Sequence, residues 1–376
     1  MSASFNILQT CFSNSWGGLE IQALEVSLQL ARRGHRVWLA CRPGSRLSAE
    51  ARAHQLDTLE LEVKGYFHPV AIWQLRTVMR RQSIDIIHCQ HSRDIATIVP
   101  ATRLSGRPIP IVLSKRVGSY VMKKDLFHQF TYARVSKVLA VSEVIRRNVL
   151  NTTPMTPERV ITLHDAIDTS TFSLERVERR RVRDEFSISD QTVLIGIVGR
   201  FSPGKGHEEL LEAASILRKR HSNVHFMIVG EASHGEEAYM HGIRNLCTTL
   251  RLDDIITFTG FRKDVPNVMA AFDIFAFPSH AESFGVVLIE AMALERPVVS
   301  TNCDGVLDIV VDGETGLHVN PKSGNELADA LERLIKYQTL REEMGKRGRK
   351  RVEEMFNQTK QMDKLEEIYS ELLPTQ

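Results

Sequence analysis

Residues 193–218 read VLIGIVGRFSPGKGHEELLEAASILR, and this stretch decides the fold class. The run Val193–Val198 is apolar and rich in β-branched residues, which is typical of a buried strand. A glycine-containing turn follows it, and the residues from 208 onward have the apolar spacing of a helix. Buried strands that alternate with helices form βαβ units on a parallel sheet, so the stretch predicts a doubly wound α/β domain.

The same alternation of short apolar runs with helical patterns occurs in both halves of the chain. A clear amphipathic helix over 19–33 follows the first apolar run and ends at Gly34. Two series of this kind predict two Rossmann-like domains, each with a doubly wound parallel sheet, facing each other across a central cleft. The predicted strands are 6–8, 36–40, 84–87, 109–113, 138–141 and 160–163 in the first domain, and 193–198, 224–229, 255–258, 274–277, 297–300 and 317–319 in the second.

The boundary between the domains is predicted in the charged segment 172–186, where apolar residues are sparse. This linker is expected to contain a short charged helix, and it separates a first domain over 1–171 from a second domain that begins at 187. Its arginines raise the question of RNA binding. That role is disfavoured because no aromatic residues are interleaved with them, and a solvated helix face is the commoner explanation.

Composition limits the class of protein. A chain of 376 residues is long enough for about two domains, and 43% apolar with 25% charged residues is ordinary for a globular protein. No leader pattern and no run of about 18 apolar residues occurs, so a cytoplasmic location is expected. Scattered cysteines without a CxxC pair predict reduced thiols and no zinc site. These cysteines are Cys11, Cys41, Cys89, Cys247 and Cys303.

Charge is unevenly distributed between the two halves. Residues 1–186 hold 27 Lys/Arg against 17 Asp/Glu, whereas the remainder holds 21 against 29. An excess of positive charge favours an anionic partner for the first domain, either a phosphorylated substrate or an anionic membrane face. A basic surface in contact with solvent alone explains the same composition, and the sequence leaves both readings open.

The loop Gly199-Arg-Phe-Ser-Pro-Gly-Lys-Gly206 has the composition of an anion site. It follows a predicted strand and precedes a helix, and ligands of doubly wound sheets bind at the carboxyl ends of the strands. Arg200 offers a planar set of donors, Lys205 a point charge, and the helix N-terminus a partial positive charge. A Walker P-loop is excluded because it requires Ser or Thr after the lysine. The alternative is a glycine turn with two solvated cations.

A second candidate site follows the strand predicted at 274–277. Here Ser279-His-Ala-Glu-Ser-Phe-Gly-Val-Val-Leu-Ile-Glu290 places Glu282 in a loop and Glu290 on about the second turn of an apolar helix. The first-turn amides around Ser283, Phe284 and Gly285 are suited to a phosphate. A carboxylate in so apolar a helix needs a polar partner, and the diol of a ribose would serve. Pairing with a nearby arginine is the alternative, and a hydrolytic acid–base pair is a weaker one.

Other polar patterns are less specific. Trp16-Gly17-Gly18-Leu-Glu opens the first long helix and would let a pyrophosphate or sugar approach the backbone, although a tight turn explains it equally. A nicotinamide dinucleotide site is disfavoured because the GxGxxG pattern is missing. His88 and His91 lack the further ligands of a metal site, and no DxD triplet occurs. Metal independence is therefore expected.

Taken together, these motifs resemble those of the retaining family-four glycosyltransferases, which have the GT-B fold. The resemblance covers nearly the whole chain, and its most specific element is the E-x7-E spacing from Glu282 to Glu290 within PSHAESFGVVLIEAMALERPVVST. GRFSPGKG is similar to the phosphate loop of that family. WGGLE, FTGFRKDVPNVMAAFDIFAFPS and VDGETGLHV also match.

The resemblance implies a nucleotide diphosphate sugar bound mainly by the second domain and an acceptor bound mainly by the first. Arg200 and Lys205 would neutralise the leaving diphosphate, Glu282 would contact the donor sugar, and Glu290 would bind the ribose. Catalysis would then be chiefly electrostatic and would involve Glu282, Arg200 and Lys205. Further donor contacts would come from backbone groups at Gly17, Gly18, Ser283, Phe284 and Gly285. The family also implies a last helix that returns to the first domain, which gives 1–171 plus 357–376 and 187–356.

The chain departs from the family pattern at several positions. Ser114-Lys115-Arg116 stands where the family often has T-x-H, so Arg116 takes the place of a histidine. Lys115 and Arg116 are therefore candidates for binding a phosphate or an anionic acceptor. Asp165-Ala166 replaces an Asn-Gly pair, and Ser283 replaces a glycine.

The function expected from these features is transfer of a hexose-type sugar to a bacterial envelope glycan, such as a lipopolysaccharide core or a surface polysaccharide. A UDP-sugar is the favoured donor, and no separate cofactor and no nucleic acid is expected. The basic first domain suits an anionic or lipid-linked acceptor and peripheral contact with the cytoplasmic membrane face. The alternatives are a nucleotide-sugar epimerase or hydrolase of the same fold, or a non-catalytic nucleotide-sugar-binding protein. A dinucleotide oxidoreductase ranks last.

Overall fold

The computed structural model describes residues 4–63 and 68–373 of the chain. The chain divides into two compact units, of which the first comprises Met1–His164 and Gln361–Gln376 and the second Asp165–Lys360. Each unit has one parallel sheet with helices. The prediction of two doubly wound parallel-sheet domains is confirmed.

The first unit contains a sheet of seven parallel strands in the order β3-β2-β1-β4-β5-β6-β7. Its core joins apolar residues of the first two strands to those of the last helix of the chain. The strands are β1 Asn6–Cys11, β2 Arg36–Cys41, β3 Asp57–Glu60, β4 Ile86–Cys89, β5 Ile111–Lys115, β6 Val135–Ala140 and β7 Val160–Thr162. The helices are α1 Gly18–Arg32, α2 Arg46–Ala53, α3 Pro69–Arg81, α4 Ile95–Ser105, α5 Leu126–Tyr132, α6 Glu143–Thr152 and most of α15 Gln358–Leu372.

One strand of this sheet was not predicted. Asp57–Glu60 pairs in parallel with β2, with Asp57 opposite Trp38, and forms the edge of the sheet. Its sequence, DTLE, is mostly polar, and no residue of the strand is fully buried. An edge strand has a neighbouring strand on one side only and is less buried than a central strand, so it needs no apolar pattern.

The second unit contains a sheet of six parallel strands in the order β10-β9-β8-β11-β12-β13. Its strands are β8 Val193–Val198, β9 Val224–Val229, β10 Ile256–Gly260, β11 Ile274–Phe277, β12 Val298–Thr301 and β13 Gly316–Val319. The helices are α7 Arg179–Glu185, α8 His207–Arg220, α9 Glu237–Thr249, α10 Val265–Ala271, α11 Val286–Ala293, α12 Val306–Ile309, α13 Gly324–Lys336 and α14 Gln338–Met355. The core lies between this sheet and helices such as α8 and α13.

The segment 172–186, predicted as a linker, belongs to the second unit. It contains the expected short helix, α7, but one of its arginines is an interior residue. Arg183 is 1% exposed and donates hydrogen bonds to three backbone carbonyl oxygens and to the carboxylate of Asp273, 3.1 Å away. These bonds pair both terminal nitrogens of the buried guanidinium, and its Nε atom forms no hydrogen bond within the described residues. Arg183 therefore anchors α7 to the domain.

In each sheet the order of the strands reverses at one place. The reversal lies between β1 and β4 in the first sheet and between β8 and β11 in the second. In doubly wound sheets the connections at such a place run to opposite faces, which opens a crevice at the carboxyl ends of the strands. These two edges are therefore where ligand-binding residues are expected.

Two further observations concern the described residues. All five cysteines are free thiols. None of the helices within 4–63 and 68–373 combines the length and the hydropathy needed to cross a membrane.

Candidate functional site

Two loops of the second unit lie where its strand order reverses. Residues 199–206 follow β8 and residues 278–285 follow β11, and these two strands are neighbours in the sheet. Because adjacent parallel strands end at the same edge, the two loops share that edge. They carry Arg200, Lys205 and Glu282, and the helix α11 that follows the second loop carries Glu290.

The backbones of the two loops are in direct contact. The N–H of His280 donates to the carbonyl oxygen of Gly204 at 2.8 Å. Gly206 has φ +81°, and a Cβ there would lie 2.2 Å from the carbonyl oxygen of Pro278. Only glycine fits both this left-handed conformation and this close approach. Position 206 therefore requires glycine, because a side chain there would prevent the contact between the two loops.

Lys205 and Glu282 form an ion pair between the loops. The Lys205 Nζ atom lies 2.7 Å from Glu282 Oε2, and the two side chains are 30% and 20% exposed. The sequence assigned the lysine to a diphosphate and the glutamate to a sugar, without predicting that they touch. Since the pair is half-buried, the carboxylate holds the ammonium group in one position at the edge of the sheet.

Arg200 lies in the same loop with an exposed side chain. Its Nη1 atom donates to Ser233 Oγ at 3.1 Å. Close by, Ser202 Oγ donates to the Glu236 carboxylate at 2.7 Å, and this bond lowers the pKa of Glu236, with a smaller contribution from the charge of Arg200. An ionised carboxylate therefore lies near the Arg200 guanidinium. Residues 233–236 were not predicted from the sequence.

Glu290 lies on the second turn of α11 and is half-buried among apolar residues. Across residues 4–63 and 68–373 it forms no ion pair and no hydrogen bond through its side chain. Within these residues no arginine pairs with Glu290, so the alternative of an arginine partner is excluded for this part of the chain. Burial raises its pKa from 4.5 to about 7, and no nearby charge opposes that effect. Glu290 thus presents an acceptor group that lacks a protein donor.

The start of α11 has the geometry expected for an anion site. Gly285 is its N-cap residue, with φ +103°, and its carbonyl oxygen accepts from the Leu288 N–H at 2.9 Å, whereas the N–H groups of the two residues between them precede any intrahelical acceptor. The Phe284 side chain is buried and packs edge-on against Phe356, with ring centres 5.8 Å apart. Phe284 therefore anchors this turn in the core, which leaves only its backbone for the predicted donor contact. Ser283 precedes it and is half-buried.

A third loop supports the second one, and the sequence analysis missed it. Gly305, after β12, donates its N–H to the carbonyl oxygen of Glu282 at 2.9 Å, and the Glu282 N–H donates to Asp304 Oδ2 at 3.3 Å. These two bonds fix the backbone of Glu282 on both sides. His280 is held in turn by Glu209, 2.8 Å from its Nε2 atom. The signal in the sequence was the turn Cys303-Asp304-Gly305 directly after a predicted strand.

The predicted glycines Gly17 and Gly18 lie in the first unit, at the start of α1. Gly17 is the N-cap residue, and its N–H donates to Glu20 Oε2 at 2.9 Å. Gly18 is exposed, and a Cβ there would meet no atom within 4 Å. The position of Gly18 at a helix N-terminus is suited to an anion.

Lys115 is the last residue of β5 in the first unit and Arg116 follows it, and both line a cavity of about 440 Å³. Lys115 is 9% exposed. Burial, together with the charge of Lys123, lowers the pKa of Lys115 to about 8. Arg116 donates from Nη1 to Gln90 Oε1 at 2.7 Å. The structure therefore places the two predicted acceptor residues on one cavity wall.

His88, weighed above as a metal ligand, is part of a buried hydrogen-bond network. Its ring nitrogens lie 2.6 Å from the Tyr369 hydroxyl and 2.8 Å from Ser114 Oγ. Burial lowers the pKa of His88 to about 3, so the ring is neutral. Within the described residues no group of three or more His, Cys, Asp or Glu side chains is arranged to hold a metal ion.

Two family descriptions match most of the chain. Residues 16–171 match "Glycosyltransferase Family 4", and residues 178–351 match "Glycosyl transferases group 1". The capsular polysaccharide biosynthesis glycosyltransferase CapM of Staphylococcus aureus is 32% identical over 63% of this chain and 62% of that relative. The alpha-D-kanosaminyltransferase of Streptomyces kanamyceticus is 27% identical over 92% of this chain and 97% of that relative.

A solved structure shows the same fold. Anabaena Alr3699/HepE, determined in complex with UDP-glucose, superimposes with a TM-score of 0.83 over 98% of this chain and all of that chain, at 20% identity. At so low an identity the likeness concerns the fold. With both family matches, the two parallel sheets and this neighbour in agreement, the chain belongs to the family-four glycosyltransferases, which have the GT-B fold.

Proposed function

We propose that this glycosyltransferase transfers a hexose-type sugar, with retention of anomeric configuration, from a UDP-sugar to a bacterial envelope glycan. The observation that carries the donor half is the pair of contacting loops after β8 and β11. They bring two cations and a carboxylate to one edge of the sheet, with Glu290 on the helix behind them. Support comes from the UDP-glucose bound by HepE and from the name of CapM, a capsular polysaccharide enzyme.

The cations would act on the leaving group. When the bond between the sugar C1 and the diphosphate oxygen breaks, negative charge accumulates on the diphosphate while the sugar becomes oxocarbenium-like. Arg200 and Lys205 stabilise that charge, and they do so best because they are already positioned by the protein. Lys205 is held by Glu282 before any ligand arrives. Removing one such donor typically costs about 10²–10³ in rate.

The carboxylates would have separate tasks. Glu282 contacts the donor sugar near the reacting carbon, and Glu290 accepts hydrogen bonds from the ribose hydroxyls. The acceptor hydroxyl attacks C1 from the side of the leaving diphosphate and transfers its proton to a diphosphate oxygen. Protons and bonds balance in this scheme without a metal ion, and we include metal independence in the proposal. Backbone groups at 283–285 complete the part of the donor site that the second unit supplies.

The acceptor half of the proposal rests on charge. Lys115 and Arg116 are available for an anionic or lipid-linked glycan, such as a lipopolysaccharide core or a surface polysaccharide intermediate. Peripheral contact with the cytoplasmic membrane face belongs to the same proposal.

Calorimetric titration with UDP, GDP and ADP, each with magnesium and with EDTA, tests the donor site. We expect micromolar binding of UDP that is independent of magnesium and is lost in Arg200→Ala. Lys219→Ala is the matched control, because this exposed lysine ends α8 in the same unit, away from both loops. Equal UDP affinity in wild type and Arg200→Ala would contradict the assignment.

Turnover distinguishes transfer from its alternatives. With UDP-glucose alone we expect little hydrolysis, and with an acceptor extract the transferred sugar should retain its α configuration in the NMR spectrum of the product. Full-rate conversion of UDP-glucose without acceptor would instead indicate an epimerase or a hydrolase. UDP binding without any turnover would indicate a binding protein.

A further inference from the structure

The cavity beside Lys115 has an unusual set of charges. It lies in the first unit at the carboxyl ends of β4 and β5, where ligand sites of parallel sheets are expected. Four cationic residues line it, namely Arg93, Lys115, Arg116 and Lys123. Among the described residues that line it, none is Asp or Glu. The cavity therefore has a strongly positive lining.

Three of the four cations have no partner among the described side chains. Within 4–63 and 68–373, the side chains of Arg93, Lys115 and Lys123 form neither an ion pair nor a hydrogen bond. Two carboxylates beside the cavity already have other partners: the buried Asp94 accepts from Thr10 Oγ1 at 3.1 Å, and Asp125 pairs with His128 at 2.5 Å. Like charges in a partly desolvated space repel one another, and the charge of Lys123 adds to the effect of burial, the larger cause, in lowering the pKa of Lys115. A bound anion would offset this repulsion.

The mouth of the cavity is apolar on one side. The segment 117–130, which we name the apolar rim, concentrates exposed apolar side chains with Lys123, Lys124 and Asp125 between them. A patch of this kind on a protein surface marks an interaction site. The exposed apolar residues of the rim are Val117, Tyr120, Val121, Met122, Leu126, Phe127 and Phe130.

The apolar rim and the charged lining are continuous. Val117, Val121 and Phe127 line the cavity and also expose 59%, 66% and 46% of their surface. Lys123 lies in the rim sequence and in the cavity wall at once. A ligand that satisfies both parts must therefore join an anionic group directly to a hydrocarbon chain. A free phosphate would leave the rim uncovered.

We propose that the cavity binds the phosphate or diphosphate group of a lipid-linked acceptor, whose hydrocarbon chain lies on the apolar rim. This inference rests on the proposed function and names the class of its acceptor: an alkyl or prenyl phosphate that bears the sugar to be extended. Such an arrangement gives the enzyme a reason to prefer acceptors at a membrane surface, because the chain and the anionic group are recognised together.

Two probes separate the anionic and the apolar parts. Inorganic pyrophosphate and farnesyl diphosphate are titrated into the full-length protein with UDP at saturation, so that the donor site is filled. We expect farnesyl diphosphate to bind at least about tenfold more tightly, because burial of a few methylene groups is sufficient for that factor. Arg93→Ala and Lys123→Ala should each weaken both ligands by about tenfold, as expected for a charge-assisted contact.

A second pair of variants tests the apolar rim. Val121→Ser and Phe127→Ser should weaken farnesyl diphosphate and leave pyrophosphate unchanged. The matched controls are Lys219→Ala for the cations and Met355→Ser for the apolar residues, since both residues are exposed and lie in the second unit. Neither control should change the affinity for pyrophosphate or for farnesyl diphosphate.

Several outcomes would overturn the inference. Unchanged pyrophosphate binding in Arg93→Ala and Lys123→Ala would remove the anion site. Equal affinities for the two probes would show that the hydrocarbon chain is not recognised. Farnesyl diphosphate binding that is unchanged in Phe127→Ser would show the same. UDP affinity, measured on the wild type and on the same variants, keeps the two proposals apart. Absence of UDP binding in the wild type would refute the proposed function, whereas unchanged UDP binding in the variants would show that only the acceptor cavity is affected.

Discussion

Glu290 allows a quantitative test, because its carboxyl group lies in an apolar helix and has no donor among the residues that the structure describes. Burial raises its pKa from 4.5 to about 7. At about 1.4 kcal/mol for each tenfold change in proton affinity, this corresponds to about 3 kcal/mol of disfavoured charge in the free protein. A ribose diol that donates to the carboxylate would offset part of this cost and return the pKa toward its ordinary range.

Binding of UDP should therefore require loss of a proton from Glu290. With a pKa near 7 in the free protein, about a tenth of the molecules carry the ionised form at pH 6 and about nine tenths at pH 8. UDP affinity should rise about tenfold across this interval. In Glu290→Gln the affinity should be lower at pH 8, and this Glu290-dependent rise should be absent.

The assay is calorimetric titration of UDP at pH 6, 7 and 8 with both proteins. The terminal phosphate of UDP also titrates near pH 6, but it contributes equally to both proteins and cancels in their comparison. The same pH dependence in wild type and Glu290→Gln would refute the reasoning.

The free protein gives an independent check on Glu290. A carboxyl group whose pKa is higher in the folded than in the unfolded state stabilises the fold less as pH rises from 4.5 through 7. Glu290→Gln should therefore raise the free energy of unfolding at pH 8 by about 2 kcal/mol more than at pH 5. Urea unfolding without ligand measures this difference. If the substitution changed the free energy of unfolding equally at both pH values, the raised pKa of Glu290 would be contradicted.

Three further substitutions test how the fold supports the site. Gly206→Ala should cost about 2 kcal/mol or more and weaken UDP binding, because a Cβ at φ +81° would lie 2.2 Å from a backbone oxygen of the adjacent loop; unaltered melting and affinity would contradict this contact. Tyr369→Phe should cost about 1–3 kcal/mol in urea unfolding because it removes the hydroxyl 2.6 Å from His88 Nδ1, and no change would mean that the bond is replaced by water. Arg183→Met should cost about 3–5 kcal/mol because Asp273 loses a buried partner, whereas a neutral result would support the linker interpretation of α7.

The sequence predicted the two sheets because their central strands are apolar on both faces. The strands Val193–Val198 and Ile274–Phe277 have the predicted bounds. Gly199 follows the first and Pro278 the second, and both residue types end a strand. The strand Asp57–Glu60 escaped prediction because a half-buried edge strand needs no apolar pattern. The predicted strand 109–113 lies two residues later in the structure, at Ile111–Lys115, so that Lys115 belongs to the sheet itself.

The candidate site was accessible to sequence reasoning only in part. Residue types and their place after strands pointed to Lys205, Glu282 and Glu290, because chemistry follows the carboxyl ends of strands. The contact of Lys205 with Glu282 spans 77 positions, and no local pattern encodes so distant a pairing. The turn at Asp304 has a local signal, but the residue that it supports, Glu282, lies 22 positions away and is not encoded by that signal.

The burial of Arg183 was hidden by its neighbours. In the run Glu178–Glu185 its arginines look alike in sequence, yet only tertiary packing decides which one is enclosed. Charge patterning therefore predicted the solvated face of this helix, which Arg180 and Arg181 form, but not the buried Arg183 that anchors it.

The last helix, α15, has a consequence for synthesis of the chain on the ribosome. Met362, Leu365, Ile368 and Tyr369 belong to the same core as the first strand, so that core needs residues from both ends of the chain. At about 5–20 residues per second, the interval between translation of His164 and of Gln361 lasts about 10–40 s. During that time the nascent first unit exposes the apolar surface that α15 later covers, while the second unit is already being made. The order of folding is thus expected to run opposite to the order of synthesis, and chaperones that bind nascent chains would meet the first unit in its unfinished form.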